Sequence, residues 1–379
     1  QHCADMAFVG LSDSYEQYYQ AIRRCWRFGQ KRQVNVHIIT ASTEGSIVEN
    51  IRRKESDATK MAERMVEHMK DINSQELKGA TTRTKATYER DTRTGDNWTA
   101  YLGDCVDVVK EMPSDSIGFT IYSPPFSSLY TYSNSDRDMG NCKDDGQFMT
   151  HYRFLVKELY RVTMPGRLVS FHCMNLPTSK ERHGVIGIRD FRGELIRMHL
   201  EEGWIYHSEV CIWKDPVTAM QRTKALGLLH KQIKKDSCMS RQGIADYLVT
   251  MRKPGDNPER VTHTPDDFPV QLWQQYASPV WMDINPSDTL QYRSARENND
   301  ERHICPLQLD VIKRGIKLWS NPGDLVLSPF MGIGSEGFCA VEMGRKFVGV
   351  ELKRSYWDQA CRNLESAQSE SRELFDVNS

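Results

Sequence analysis

Ser123, Pro124, Pro125 and Phe126 are the residues whose types and order point most directly to chemistry. They close the apolar run Phe119-Thr120-Ile121-Tyr122, which predicts a buried strand delivering a rigid loop to the edge of a sheet. Neither proline carries a backbone N–H, and each pushes the residue before it towards extended geometry. The loop therefore offers the carbonyls of Ser123 and Pro124, with the Ser123 hydroxyl, as a stiff edge of acceptors. An exocyclic amino group, with two N–H donors to place, suits such an edge. Phe126 adds a flat face on which a planar ring can stack. Ser-Pro-Pro also occurs in ordinary turns, so the reading depends on its surroundings.

Two other stretches supply those surroundings. Upstream, Tyr101-Leu102-Gly103-Asp104-Cys105 reads as a strand end followed by a helix. Downstream, residues 323–337 (GDLVLSPFMGIGSEG) read as a strand, a glycine-rich turn and the start of a helix. A further strand, Phe347-Val348-Gly349-Val350, ends in the acid Glu351. Glycines let backbone approach a ligand closely, and an acid at the tip of the next strand can grip ribose hydroxyls.

With these parts in order, residues from about 98 to 365 resemble an amino-group DNA methyltransferase. That family methylates N4 of cytosine or N6 of adenine using S-adenosylmethionine. Ser123-Pro124-Pro125-Phe126 matches its catalytic motif, and Pro329-Phe330-Met331-Gly332-Ile333-Gly334 its cofactor motif. The order, catalytic motif first, resembles the circularly permuted beta group. There are two departures: Ser328 stands where the family has an acid for the methionine ammonium, and Gly332-Ile333-Gly334-Ser335 replaces Gly-Ser-Gly-Thr.

The resemblance implies an α/β fold, a Rossmann-like sheet with helices on both faces, carrying an inserted DNA-recognition region. It places Ser328, Phe330, Gly332, Gly334 and Glu351 around the cofactor, with His303 and Pro306 beside the methionine tail. Asp104 contacts the adenine end or caps the helix that follows it. Ser335 and Glu336 begin a helix whose positive end favours the cofactor's carboxylate, or Ser335 merely caps that helix. No metal is expected. The implied reaction is direct transfer to a base flipped out of the duplex. Ser at position 123 favours N4 of cytosine, with N6 of adenine as the alternative. An inactive, DNA-binding appendage of a helicase is the reading from another class.

That last reading arises from the first third of the chain. Gln20, Ala21, Arg24, Arg27, Gly29 and Gln30 resemble the last motif of superfamily-two, chromatin-remodeller-like helicases, with Trp26 in place of its histidine. In such motors the two arginines face nucleotide phosphates, but no Gly-Lys-Ser/Thr loop accompanies them here. Val34 to Ile39 predicts a strand, and Ile47, Ile51, Met61, Met65 and Met69 mark an amphipathic helix read as packing. The expected division is a helicase-tail remnant over 1–70, a linker over 71–97, the methyltransferase over 98–365 and a frayed polar tail over 366–379. Gln1 in first place suggests a piece of something longer.

Helices are expected over Phe148–Val162, Asp190–Glu202 and Pro306–Trp319, and strands over Gly166–Phe171 and Tyr206–Trp213. Residues 130–145 are read as a lid over the flipped base. His172, alone at a strand end, is read as a core or rim histidine outside the mechanism. Lys214 to Arg260 holds ten Lys or Arg against five acids in a chain of net charge −1. Phosphate neutralisation dominates nucleic-acid affinity, so Arg222, Lys224, Lys231, Lys234, Lys235 and Arg241 are the expected DNA contacts. The whole of 214–302 is expected to form the recognition insertion.

Across 379 residues, hydrophobic content of 39% and aromatic content of 9% are those of a globular protein. Apolar runs fall short of a membrane span, and no signal peptide opens the chain. The ten cysteines, without Cys-x-x-Cys, read as reduced thiols of an intracellular protein, cytoplasmic or nucleoid and prokaryotic or phage-like. A restriction-modification setting fits that picture, with DNA and an upstream helicase domain of the same chain as expected partners.

Overall fold

The computed structural model describes residues 5–9, 34–39, 90–126, 145–178, 184–215, 234–239, 242–291 and 306–376, with a few isolated positions between them. Strands β1 (Asp5–Val9) and β2 (Asn35–Ile39) form a two-stranded parallel sheet. Both alternate exposed and half-buried residues, and Asn35 donates to Asp5 over 2.8 Å. The strand expected over 34–39 is thus present. Of the helicase-like residues only Ala21 is described, and the methionine stripe lies outside the described residues.

The main body begins with β3 (Asp91–Thr94), β4 (Trp98–Leu102), helix α1 (Cys105–Glu111), β5 (Ile117–Tyr122), helix α2 (Asp145–Val162) and β6 (Thr163–Met174). A small hairpin, β7 (Leu176–Thr178) and β8 (Gly187–Arg189), precedes α3 (Phe191–Glu201), β9 (Ile205–Ile212), β10 (Asp246–Arg252), α4 (Val270–Tyr276) and β11 (Val280–Trp281). The chain then runs through α5 (Leu309–Trp319), β12 (Leu325–Ser328), α6 (Ser335–Glu342), β13 (Lys346–Glu351) and α7 (Arg354–Asp376).

Nine strands form one sheet in the order β11-β9-β10-β6-β5-β12-β13-β4-β3. From β6 across to β4 all neighbours are parallel. Every residue of β5 is buried, as expected of a central parallel strand covered on both faces. Helices α1, α2 and α3 pack Val108, Val109, Phe148, Tyr152, Phe191 and Leu195 into the core on one face. Helices α5, α6 and α7 pack Val311, Ile316, Cys339, Trp357 and Leu364 into the core on the other. A Cβ at Gly315 would lie 3.0 Å from Ile121 Cδ1, so glycine is what lets α5 press against β5. The expected α/β sheet with helices on both faces is the observed architecture.

Four boundaries move. Asp91–Thr94, inside the expected linker, is an edge strand paired antiparallel with β4. Its polar residues suit an edge, and Arg354 ties it down through Asp91 at 2.7 Å. Asp246–Arg252, inside the expected insertion, is an interior strand between β6 and β9. A charge count over that window hid a buried run in which Leu248, Val249, Thr250 and Met251 are all inaccessible. The expected helix over 306–319 starts at Leu309, with Gln308 as N-cap and Pro306 outside it. Residues 366–376 of the expected frayed tail are the last part of α7, whose Ala367 is buried in the core.

Among the described residues Cys105, Cys173, Cys211, Cys238, Cys339 and Cys361 are free thiols. No described helix is long and apolar enough to cross a membrane.

Candidate functional site

Strand order decides which loops meet. β5 and β12 are parallel neighbours, with Phe119 opposite Val326 and Thr120 opposite Leu327. The Ser-Pro-Pro-Phe loop after β5 and the glycine turn after β12 therefore leave the same edge side by side. Between these strands the chain reverses its direction of winding, β5 leading to β6 and β12 to β13 on the opposite side. Ligands of open α/β sheets bind outside the carboxyl ends at such a point.

The prolines hold the first loop: Pro124 is buried, while Ser123, Pro125 and Phe126 are half-buried. Tyr122 anchors it from below, its hydroxyl 2.6 Å from that of Tyr152 and its ring 5.9 Å from that of Phe330. Burial pushes the Tyr122 phenol well up, so it stays neutral. Phe330, just before the glycine turn, thus packs against the strand residue that leads into the Ser-Pro-Pro-Phe loop.

On the other side of β5, the pairing of Tyr122 with Phe171 brings His172 level with Ser123. Ser123 Oγ lies 3.2 Å from His172 Nδ1, and His172 Nε2 lies 3.0 Å from Asp246 Oδ2. Lys214 forms an ion pair with the same carboxylate oxygen. Burial works to raise the Asp246 carboxyl, but Lys214 and His172 outweigh it and hold the group below its ordinary range. The Phe126 ring stands edge-on to the imidazole at 6.2 Å. His172, Asp246 and Lys214 are the site residues that sequence reasoning missed. A histidine one strand away at the same edge was the available signal, but its distance from Ser123 needed the strand order.

The glycine turn has the backbone its residues require. Gly332 and Gly334 adopt φ of 55° and 86°, and Gly334 is the N-cap of α6. Ser335 therefore does not cap its helix. Glu351 closes the turn: Oε2 accepts from Gly332 N–H at 2.9 Å and Oε1 from Lys353 N–H at 2.8 Å. Flanking the turn, the oxygens of Ser328 and Ser335 are buried without hydrogen-bond partners among the described residues, as are those of Thr120 within β5 and Gln308 before α5. Buried polar atoms are normally satisfied, so orphaned oxygens near this turn fit a site that receives a polar ligand. Glu336, also buried, is pushed up to about 8 by burial.

Asp104 caps α1, its Oδ1 accepting from Val106 N–H at 2.9 Å and Asp107 N–H at 3.1 Å. It stands at the tip of β4, two strands from β12 along the same edge. Pro306 is half-buried before α5. Lys234 and Lys235 are exposed. His303, Arg222, Lys224, Lys231, Arg241 and most of the expected lid lie outside the described residues. Among the described residues no three His, Cys, Asp or Glu converge as a metal site.

Sheet, acceptor loop and acid-closed glycine turn define the class: an α/β protein whose two loops meet at the carboxyl edge of a doubly wound sheet, where ligands of such folds bind. Residues 117–362 match the model of the N6/N4 family of DNA methylases, and the chain belongs to that family of DNA amino-methyltransferases. The type II methyltransferase M.BglII of Bacillus subtilis is 22% identical over 273 residues, 72% of this chain and 70% of that protein. The DNA adenine methyltransferase YhdJ of Escherichia coli K12 is 25% identical over 276 residues, 72% of this chain and 84% of that one. Among solved structures, the cytosine-N4-specific PvuII DNA methyltransferase shares the fold with a TM-score of 0.53 at 16% identity, covering 75% of this chain and 94% of its own. A DNA modification methylase structure from Thermus thermophilus, complexed with S-adenosyl-L-methionine, has a TM-score of 0.51 at 18% identity, covering 70% and 94%.

Proposed function

We propose that this protein transfers a methyl group from S-adenosylmethionine to the exocyclic N4 of cytosine in DNA. The observation that carries the reading is the Ser123 hydroxyl, backed by His172, on a proline-stiffened acceptor edge beside a glycine turn closed by Glu351. The bound cofactor supplies an activated methyl group on a sulfonium. Glu351 would hold its ribose, with Gly332 and Gly334 giving backbone access. Asp104 would lie at the adenine end, Ser328 and Phe330 along the middle, and His303 and Pro306 at the methionine tail.

The target base leaves the stack, at a cost of a few kcal/mol, and stacks on Phe126. Ser123 Oγ and the Pro124 carbonyl accept its amino hydrogens, which draws the nitrogen towards tetrahedral geometry and aims its lone pair away from the ring. Positioning and electrostatics supply most of the acceleration. Lys234, Lys235, Arg222, Lys224, Lys231 and Arg241 would neutralise phosphates.

The choice of cytosine rests on serine at position 123. The E. coli relative is an adenine enzyme and the PvuII neighbour a cytosine-N4 enzyme. The motif order supports the permuted beta group, and the residues before β3 support a helicase-type tail. Mass spectrometry of nucleosides from DNA incubated with protein and cofactor is the deciding experiment. N4-methylcytosine is expected. N6-methyladenine alone would overturn the base, and no methylated base despite cofactor binding would leave the DNA-binding appendage.

A further inference from the structure

Asp246 is buried, and Lys214 and His172 both converge on its Oδ2, while its buried Oδ1 has no partner among the described residues. A carboxylate paired with a lysine is ionised and can only accept hydrogen bonds. His172 Nε2, 3.0 Å away, must therefore carry a proton and donate it. In the neutral ring Nδ1 is then an acceptor. At 3.2 Å from Nδ1, the Ser123 hydroxyl must donate to it. Its lone pairs are then left free to accept from a ligand.

We propose that His172, held by Asp246 and Lys214, is the positioning residue that fixes the Ser123 hydroxyl as an acceptor and takes up the proton shed by the target amino group. This deepens the methyl-transfer reading and rests on it. A serine hydroxyl turns freely, and without this line it could present either its hydrogen or its lone pairs to the pocket. After transfer the amino nitrogen carries one proton too many. That proton passes to Ser123 Oγ while the serine's own proton passes to His172 Nδ1. No electrons are exchanged. Asp246 then faces an imidazolium, and the proton leaves to solvent when the product departs. If His172 is protonated before transfer, Nδ1–H donates to Ser123 and turns the hydroxyl hydrogen into the pocket, which is the wrong polarity for an amino group. Around this line, β10 contributes Asp246, the segment just after β9 contributes Lys214, and Arg192 of α3 pairs with Glu209 of β9 at 2.7 Å.

The test combines nitrogen-15 spectra of the histidines in the unmutated, DNA-free protein with single-turnover methylation across pH. Amplified, and so unmodified, DNA serves as acceptor. His172 should show the Nε2–H tautomer when neutral, and the unmutated rate should fall on the acid side. His172→Asn keeps an acceptor near the Nδ1 position but cannot hold a proton. It should lose the acid limb and slow the plateau by about 10²-fold, the low end for a positioned proton acceptor, with cofactor affinity unchanged. Asp246→Asn should slow the plateau as well, with cofactor affinity unchanged, because it weakens the acceptor that fixes the Nε2–H tautomer. An Nδ1–H tautomer in the unmutated protein, or a His172→Asn enzyme with the acid limb intact and a plateau within twofold, would overturn the proposal while leaving methyl transfer standing. Absence of methylation by the unmutated chain would remove both.

Discussion

The backbone N–H of Gly332 donates to Oε2 of Glu351 over 2.9 Å, so the acid at the tip of β13 shapes the glycine turn that follows β12. One carboxylate thus orders the turn through Gly332 and accepts from Lys353 N–H, and under the proposed function it also holds the cofactor's ribose. Glu351→Ala should weaken binding of S-adenosylmethionine by roughly 1.5–3 kcal/mol, the worth of a hydrogen bond to a charged acceptor. Titration calorimetry checks this, and unchanged affinity would take Glu351 out of the site.

Ser123→Ala removes one acceptor and leaves both prolines in place. Turnover should drop about 10²–10³-fold, as for loss of one preorganised hydrogen bond, with cofactor affinity nearly constant. A loss confined to KM in steady-state kinetics would contradict the role.

Phe126→Ala acts on capture of the base, since stacking on an aromatic ring is worth about 1–3 kcal/mol per base. DNA carrying 2-aminopurine at or beside the target reports flipping by fluorescence, and the variant should show less of it. Equal flipping signals would show that the ring only packs against His172, which it meets edge-on at 6.2 Å.

Glu336 predicts how stability depends on pH. Burial raises its carboxyl from the ordinary 4.5 to about 8 in the folded state. Between those values the folded protein holds a proton that the unfolded chain has released, so stability falls as pH rises through this window. The slope from this one group approaches about 1.4 kcal/mol per pH unit. Glu336→Gln should flatten it, as measured by urea unfolding in the absence of cofactor at pH 5 and pH 8. An unchanged difference between the two pH values would show that Glu336 ionises freely in the folded protein.

Arg167 of β6 holds the opposite edge of the sheet. It donates to the carbonyls of Gly118 and Glu259, each at 2.8 Å, and pairs with Asp324 just before β12. Its side chain is 1% exposed and that of Asp324 8%. Arg167→Ala leaves two carbonyls without this donor and the Asp324 carboxylate without its charge partner, with the Asn321 N–H still donating to it, at a cost of about 3–5 kcal/mol. Denaturant unfolding gives that number directly, and a change below about 1 kcal/mol would mean that water reaches the pair.

Much of the site could be read from the chain because its chemistry is local. Two successive prolines stiffen a loop wherever they occur, a Gly-x-Gly turn at positive φ demands its own residue types, and an acid ending a strand declares its edge. The buried run of β5 and the apolar stripe of α5 were legible for the same reason, since periodicity is a property of neighbours in sequence. Asp91–Thr94 and Asp246–Arg252 were not, because a polar edge strand and a strand within a basic window take their character from the strands beside them. The partnership of Ser123, His172, Asp246 and Lys214 was decided by tertiary structure alone. Ser123 follows β5, His172 lies on β6, Asp246 opens β10 and Lys214 follows β9, and these strands lie side by side as β9-β10-β6-β5, an order different from that in the chain. Hydrogen bonding between strands is indifferent to the distance along the chain that separates them. Only the assembled sheet could show that a histidine 49 positions away from the serine stands against its hydroxyl.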